Sequence, residues 1–345
     1  MSALKILQAG PGMSLQDRGR PGLQEQGVAQ GGAADQLALA EGAALLGQDP
    51  SLAAIEMVGI GGTFEAQAEL RIALTGAPMH AEVDGRALTW NASHHLETGQ
   101  RLQIRAATSG VYGYLHLGGG VASPVQLGAR ATHLAAGIGR ALVAGDVLQA
   151  GEDARAGDAA KLLRVSPRFS GGALRIVESF QSRLFAPEVR ARFAQTWFRR
   201  GNRANRMGVE LCSEGAGFQA CNQLSILSEV IVPGDVQMTG DGRPFVLMRE
   251  CQTTGGYPRI GTVLPCDLAV LAQADLGAEF QFSWITLAEA LEIEARAQKD
   301  LAALPGRVQP LVRDPAQMQD LLSYQLIGGM VSASENPFQT AGENG

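Results

Sequence analysis

Three short segments of this 345-residue chain carry side chains whose types and spacing suit binding chemistry. In Gln16-Asp17-Arg18-Gly19-Arg20-Pro21-Gly22, one carboxylate sits beside two guanidinium groups in a glycine-bounded turn. Such a carboxylate can orient Arg18 and Arg20 as a clamp for a carboxylate or phosphate group. A structural turn with internal ion pairs is the competing reading. In Gly201-Asn202-Arg203-Ala204-Asn205-Arg206-Met207-Gly208, two Asn-Arg pairs offer amide and guanidinium donors from what reads as a loop after a helix. An exposed basic loop is the alternative there. In Gln252-Thr253-Thr254-Gly255-Gly256-Tyr257-Pro258, an amide, two hydroxyls and a double glycine permit close backbone approach. Successive N–H groups in such a turn can form an anion-binding nest, and a plain hairpin turn needs fewer of these residue types.

None of the three segments supplies a nucleophile beside a base, so no catalytic residue is assigned. They supply recognition and oxyanion-type stabilisation, which suits a subunit that contributes part of a site. The standard catalytic signatures are missing. There is no G-x-S-x-G elbow and no phosphate-binding P-loop, and Gly118-Gly119-Gly120 leads into Val121-Ala122-Ser123-Pro124 instead of opening a dinucleotide-binding helix. His94 and His95 are adjacent and face opposite ways in a strand, and His116 shares a strand face with Tyr112 and Tyr114. No metal site is expected.

The elements that must position these segments read as mainly β. Forty-four glycines supply the positive-φ turns that many strands need. Leu70, Ile72 and Leu74 alternate with polar or small neighbours, as do Leu102 and Ile104, and Val111 to Leu117 is a further strand. Asp84-Gly85 reads as a hairpin turn. Asp35 can cap a helix that stops at Gly47. A second helix starts at Pro187 and is expected to run through Val189, Phe193 and Trp197, and a third is opened by the Thr286/Glu289 capping box. Glycine-then-strand entries recur at Gly99, Gly145 and Gly277, a weak internal echo. The polar stretch Gly151 to Lys161 reads as a linker, and the chain beyond Pro305 as loosely structured, ending in a mobile tail.

The length fits two domains or one large one, and the core must be aliphatic, with 46% hydrophobic and only 5% aromatic residues. A net charge of −6 argues against a nucleic-acid partner. The four cysteines have no zinc-like spacing and are expected as reduced thiols. With no signal-peptide start and no apolar run near the ~20 residues that cross a bilayer, a cytoplasmic location without membrane contact is expected.

Taken together, the chain resembles the allophanate hydrolase subunit 2, or biotin-dependent carboxyltransferase-like, family, which includes the C component of 5-oxoprolinase and the Kip antagonist proteins. The resemblance rests on QDRGRPG from Gln16, GAADQLALAEGAALLG from Gly32, Leu74-Thr75-Gly76-Ala77 and Tyr114 to Gly120. It continues through LGARAT from Leu127, Gly139-Arg140-Ala141-Leu142 followed by Gly145-Asp146, NRMG from Asn205, QTTGGYP from Gln252, Asp267-Leu268 and Leu271-Ala272-Gln273. These motifs follow one another in the family's order from Gln16 to about Glu289. The chain departs from the pattern at Val236 to Thr239, at Glu250-Cys251 and at His116.

The resemblance implies two tandem cyclophilin-like β-barrel domains, 1–160 and 161–304, with a partly mobile extension at 305–345. It also implies a subunit of an ATP-dependent 5-oxoprolinase, inactive alone, that opens a cyclic amide to glutamate. ATP would be used by the complex, with no tightly bound cofactor here. Partners would be a subunit-one-like protein (the B component of 5-oxoprolinase) and a third hydrolase subunit. The substrate-binding residues would be Asp17, Arg18, Arg20, Asn205, Arg206, Gln252, Thr253, Thr254, Gly255, Gly256 and Tyr257. In that reading the arginines hold a carboxylate or phosphate, and Gln252 to Tyr257 orient the ring amide. Carboxyl transfer to urea or a related amide from carboxybiotin on another protein is one alternative. A regulatory protein binding a kinase-inhibitor-like partner is another.

Overall fold

The structure, a computed structural model, describes residues 2–221 and 226–312. Residues 313–345, and with them most of the expected C-terminal extension, lie outside the described part.

Strands of the first half form two sheets that face each other across an aliphatic core. One runs, in spatial order, Val147–Gln149, Ala3–Gln8, Thr63–Ala66, Arg101–Ala107, Met79–Val83 and Arg86–Ala87. The other runs Ser14–Gln16, Ala54–Val58, Tyr112–Leu117, Leu70–Gly76, Ala92–Leu96, Lys161–Leu162 and Gln309–Pro310. Leu4, Ile6, Phe64, Leu102 and Ile104 of the first pack on Ile55, Ile72, Leu74, Leu115 and Leu117 of the second. Period-two alternation sends Tyr112, Tyr114 and His116 to the opposite face, where helix α1 (Gln36–Leu46) lies against them. Asp35 caps α1 by accepting the Ala38 N–H, and Gly47 ends it in the left-handed conformation.

The close fit of α1 has a specific cause. Gly42 passes directly over His116, and a Cβ there would overlap the imidazole ring. Burial pushes the His116 pKa down to about 3, so the ring is neutral, and its Nε2 lies 2.8 Å from the Thr75 hydroxyl.

Strands of the second half close into a seven-stranded barrel: Gly171–Val177, Arg259–Val263, Asp235–Met238, Pro244–Leu247, Gly208–Cys212, Trp197–Ala204 and Glu279–Trp284. Phe193, Phe198, Phe218, Phe280 and Phe282 fill it with Leu174, Ile176, Val236 and Val246. The aromatic part of the chain's core is therefore concentrated in this half.

Three expectations change. Helix α2 (Pro187–Gln195) stops before Trp197, because Thr196 turns extended and its hydroxyl bonds the Arg192 carbonyl. Trp197 instead begins a barrel strand, paired with Gln281. The stretch 151–161 does not hang free: Asp153 takes a two-pronged ion pair from buried Arg71 (2.8 Å each), closed under Gly118. Beyond Pro305, Gln309–Pro310 pair with Lys161–Leu162 at the edge of the first-half sheet. The glycine-led strand entries hold, with Gly99, Gly145 and Gly277 all at positive φ before their strands. The capping box of Thr286 and Glu289 opens helix α4 (Leu287–Ala302), which follows the short helix α3 (Leu268–Gln273).

Candidate functional site

The two halves meet across a buried polar network, and Arg206 is its centre. Its Nε donates to Glu250 Oε1 (2.7 Å), its Nη1 to Glu56, and its Nη2 to the Gly32 carbonyl (2.5 Å). Glu56 also accepts from the Tyr114 hydroxyl (2.7 Å) and the Ala34 N–H (2.8 Å). Nearby, Arg168 forks onto Glu41 (2.9 and 2.8 Å) and also donates to Asp35 (2.8 Å). Two carboxylates thus share one guanidinium. Burial pushes Glu41 up to about 7 against the pull of Arg168, and neighbouring Asp35 adds to the rise.

The first segment is built differently from its expectation. Asp17 does not orient the arginines, because its two oxygens accept the backbone N–H groups of Gly19 (2.7 Å) and Arg130 (2.6 Å). Arg18 is exposed. Arg20 is 1% exposed, bonds the Ala131 carbonyl through Nη2, and leaves Nε and Nη1 without partners among the described residues.

The second segment is a hairpin between barrel strands, not a loop after a helix. Asn205 Oδ1 closes its turn by accepting the Met207 (2.7 Å) and Gly208 (3.3 Å) N–H groups, which leaves the amide nitrogen uncommitted among the described residues. Since Arg206 spends its donors on protein acceptors, it positions this hairpin against the first half.

The third segment forms no nest. A nest needs backbone of alternating hand, and neither Gly255 nor Gly256 has positive φ. Thr254–Gly255 instead pair as a short strand with Glu229–Val230. The glycines serve close approach: a Cβ on Gly255 would lie 2.6 Å from Gln237 Nε2.

One pocket of about 580 Å³ gathers Asn205, Gln252 and Tyr257. It sits on the outer face of the barrel, as strand alternation requires: Val236, Met238 and Val246 point into the core, so Gln237 and Phe245 point out. Its polar lining includes four side-chain amides, Asn202, Asn205, Gln237 and Gln252, with Arg203 stacked 4.8 Å over the Phe245 ring. Ile231, Leu247 and Cys251 supply an apolar patch. Among the described residues, the lining holds no carboxylate and no histidine. Cys251 is no nucleophile, because burial pushes its thiol up to about 12. Asp17, Arg18, Arg20, Arg206, Thr253, Thr254, Gly255 and Gly256 are outside this lining.

Amides present donor and acceptor together, so this surface is complementary to another amide, to a urea or to an imide. What its described lining lacks is a carboxylate or imidazole to move protons and an activated thiol to attack a carbonyl. Among the described residues, no cluster of three His, Cys, Asp or Glu side chains is placed to hold a metal ion, and no helix is long and apolar enough to cross a membrane.

The sequence pattern described as "Carboxyltransferase domain, subdomain A and B" matches residues 26–284. The chain belongs to that family. It is 32% identical over 309 residues to the C component of 5-oxoprolinase from Escherichia coli, covering 88% of this chain and 98% of that one. The crystal structure of TTHA0988 superposes with a TM-score of 0.75 at 30% identity, over 82% of this chain and 56% of that one. This chain therefore spans little more than half of that solved relative. The Kluyveromyces lactis urea amidolyase shares the fold, with a TM-score of 0.78 at 21% identity, over 91% of this chain and 21% of that one.

Within this carboxyltransferase-domain chain, the pocket residues outside the three segments include Gln237 and Phe245. Gln237 carried one signal, a long amide between two inward apolar residues of a strand. Arg203 lies inside the second segment, but only the hairpin register puts it over Phe245.

Proposed function

We propose that this chain is the subunit of an ATP-dependent 5-oxoprolinase that contributes the amide-binding surface and does not act alone. The observation that carries this reading is the convergence of four side-chain amides and Tyr257 on one pocket that has no carboxylate, histidine or activated thiol in its described lining. A five-membered lactam is a resonance-stabilised amide. Holding its N–H and C=O against paired amides orients the ring, and the groups that activate the carbonyl then come from partner subunits, the subunit-one-like protein and a third hydrolase subunit. The likeness to a protein named as the C component of 5-oxoprolinase, over most of both chains, supports this assignment.

The pocket does not suit ATP itself. It has one arginine for a polyanion, and the glycine pair beside it makes no phosphate nest. ATP use is assigned to the complex.

The test is glutamate release from 5-oxoproline and ATP by this chain co-purified with its two partners. We expect turnover to require this chain, and Gln252→Leu with Tyr257→Phe to raise KM by about tenfold, as loss of one or two neutral hydrogen bonds predicts. Both side chains are exposed, so the fold tolerates the changes. Full activity in the double variant would sink the assignment of this pocket. A well-formed complex without turnover would turn attention to carboxyl transfer onto urea-like amides, which present the same donor and acceptor groups and match the family's description.

A further inference from the structure

A second cavity, of about 490 Å³, opens between helix α1, the stretch 164–166, helix α4 and Arg249, and it shares no lining residue with the amide pocket. Its charges do not balance. Five arginines line it; Arg175 is spent on Asp267 and Arg307 on Asp300. Arg164, Arg249 and Arg296 make no ion pair or hydrogen bond through their side chains among the described residues. Of the lining carboxylates, Glu41 is held by Arg168 and Asp300 by Arg307, which leaves Glu294, whose Oε1 accepts the Cys266 N–H (2.9 Å). Three uncommitted arginines stand against Glu294 and the one negative charge left over where Glu41 and Asp35 share Arg168, so the cavity keeps a net positive charge.

Arg249 is the informative member. It is partly buried, whereas Arg164 and Arg296 stand exposed at the rim. A guanidinium withdrawn from water without an acceptor is unfavourable, and Arg206 lies close enough to repel it. Burial accordingly lowers the pKa of Arg249 from its ordinary value. Apolar side chains of Leu268, Ile293 and Leu301 line the same cavity.

We propose that this cavity binds a small organic dianion of the α,ω-dicarboxylate type. One carboxylate would be held by Arg249 and the other by Arg164 and Arg296, with the aliphatic body against the leucine and isoleucine wall. Arginine forks match carboxylate geometry two-pronged, two carboxylates supply acceptors to all three uncommitted arginines, and the volume suits a metabolite-sized ligand.

Glutarate is the probe, titrated calorimetrically into the full chain at low ionic strength, with butyrate and inorganic phosphate as the other arms. One molecule of glutarate is expected to bind per chain, at least tenfold more tightly than either arm. Arg249→Met should weaken binding tenfold or more while raising the melting temperature of the ligand-free chain, since it removes an unpaired, partly buried charge. Arg164→Ala with Arg296→Ala, on the exposed rim, should weaken binding similarly at an unchanged melting temperature. No binding of glutarate, or equal affinity for butyrate or phosphate, would overturn the proposal. So would a ligand-free Arg249→Met chain that melts lower than the parent.

Discussion

Tyr114→Phe removes one oxygen atom and nothing else from the network that joins the two halves. The ring is fully buried and its packing is kept. The hydroxyl makes two contacts, donating to Glu56 Oε2 at 2.7 Å and accepting the Asp35 N–H at 2.9 Å. Without it, the buried Asp35 N–H has no acceptor, a loss of about 1–3 kcal/mol, and a carboxylate loses a donor worth about 1.5–3 kcal/mol. Glu56 keeps the Ala34 N–H and Arg206, so it is not left bare, and the total falls near the lower end, about 3 kcal/mol. Tyr112 is the internal control. It lies two residues away on the same strand face, also buried, and its hydroxyl makes no hydrogen bond among the described residues. Tyr112→Phe should therefore change stability by less than about 1 kcal/mol. Urea unfolding of both variants, followed by tryptophan fluorescence, reads the difference in midpoint at constant slope. Equal losses in the two variants, or a loss below about 1 kcal/mol for Tyr114→Phe, would refute the claim that this hydroxyl holds Glu56, the carboxylate that receives Arg206, to the start of α1.

Stability should also carry the signature of Glu41. Its pKa rises from an ordinary 4.5 to about 7 on folding, so between these values the folded chain holds a proton that the unfolded chain has lost. Stability from this group is full below about 4.5 and falls as pH rises through 7, by up to about 3 kcal/mol. Melting curves from pH 5 to 8 should show the parent losing ground to Glu41→Gln as pH rises, and a pH-independent gap would contradict the assignment. Gly42→Ala should destabilise by about 2 kcal/mol or more although alanine ordinarily favours a helix by ~1 kcal/mol, because the new methyl overlaps the His116 ring. Combining it with His116→Ala should recover much of that loss in the same unfolding assay, and no recovery would show that the clash lies elsewhere.

Much of the architecture was written locally. The cap at Asp35 and the stop at Gly47, the capping box of Thr286 and Glu289, and the turn at Asp84-Gly85 each rest on atoms within a few residues of one another. Strand alternation announced a mainly β chain for the same reason, and the ordered motifs carried the family. The roles of the site residues were not local. Asp17 is occupied by a backbone N–H 113 residues away, and Arg206 reaches a carboxylate 150 residues away, so what sits beside each in sequence did not decide its partner. Gly255 admits several backbone conformations, and pairing with Glu229–Val230 selected the extended one over a nest. Pairing of Asp235–Met238 with Arg259–Val263 and Pro244–Leu247 brought Gln237 to Gln252 and Tyr257. The same is true of Arg249, whose lack of a partner among the described residues becomes visible only when helices α1 and α4 and the stretch 164–166 come to line one cavity with it. Local spacing determines which hydrogen bonds a chain makes with itself over a turn or two, whereas burial between distant strands decides which charged and polar groups are left to bind something else.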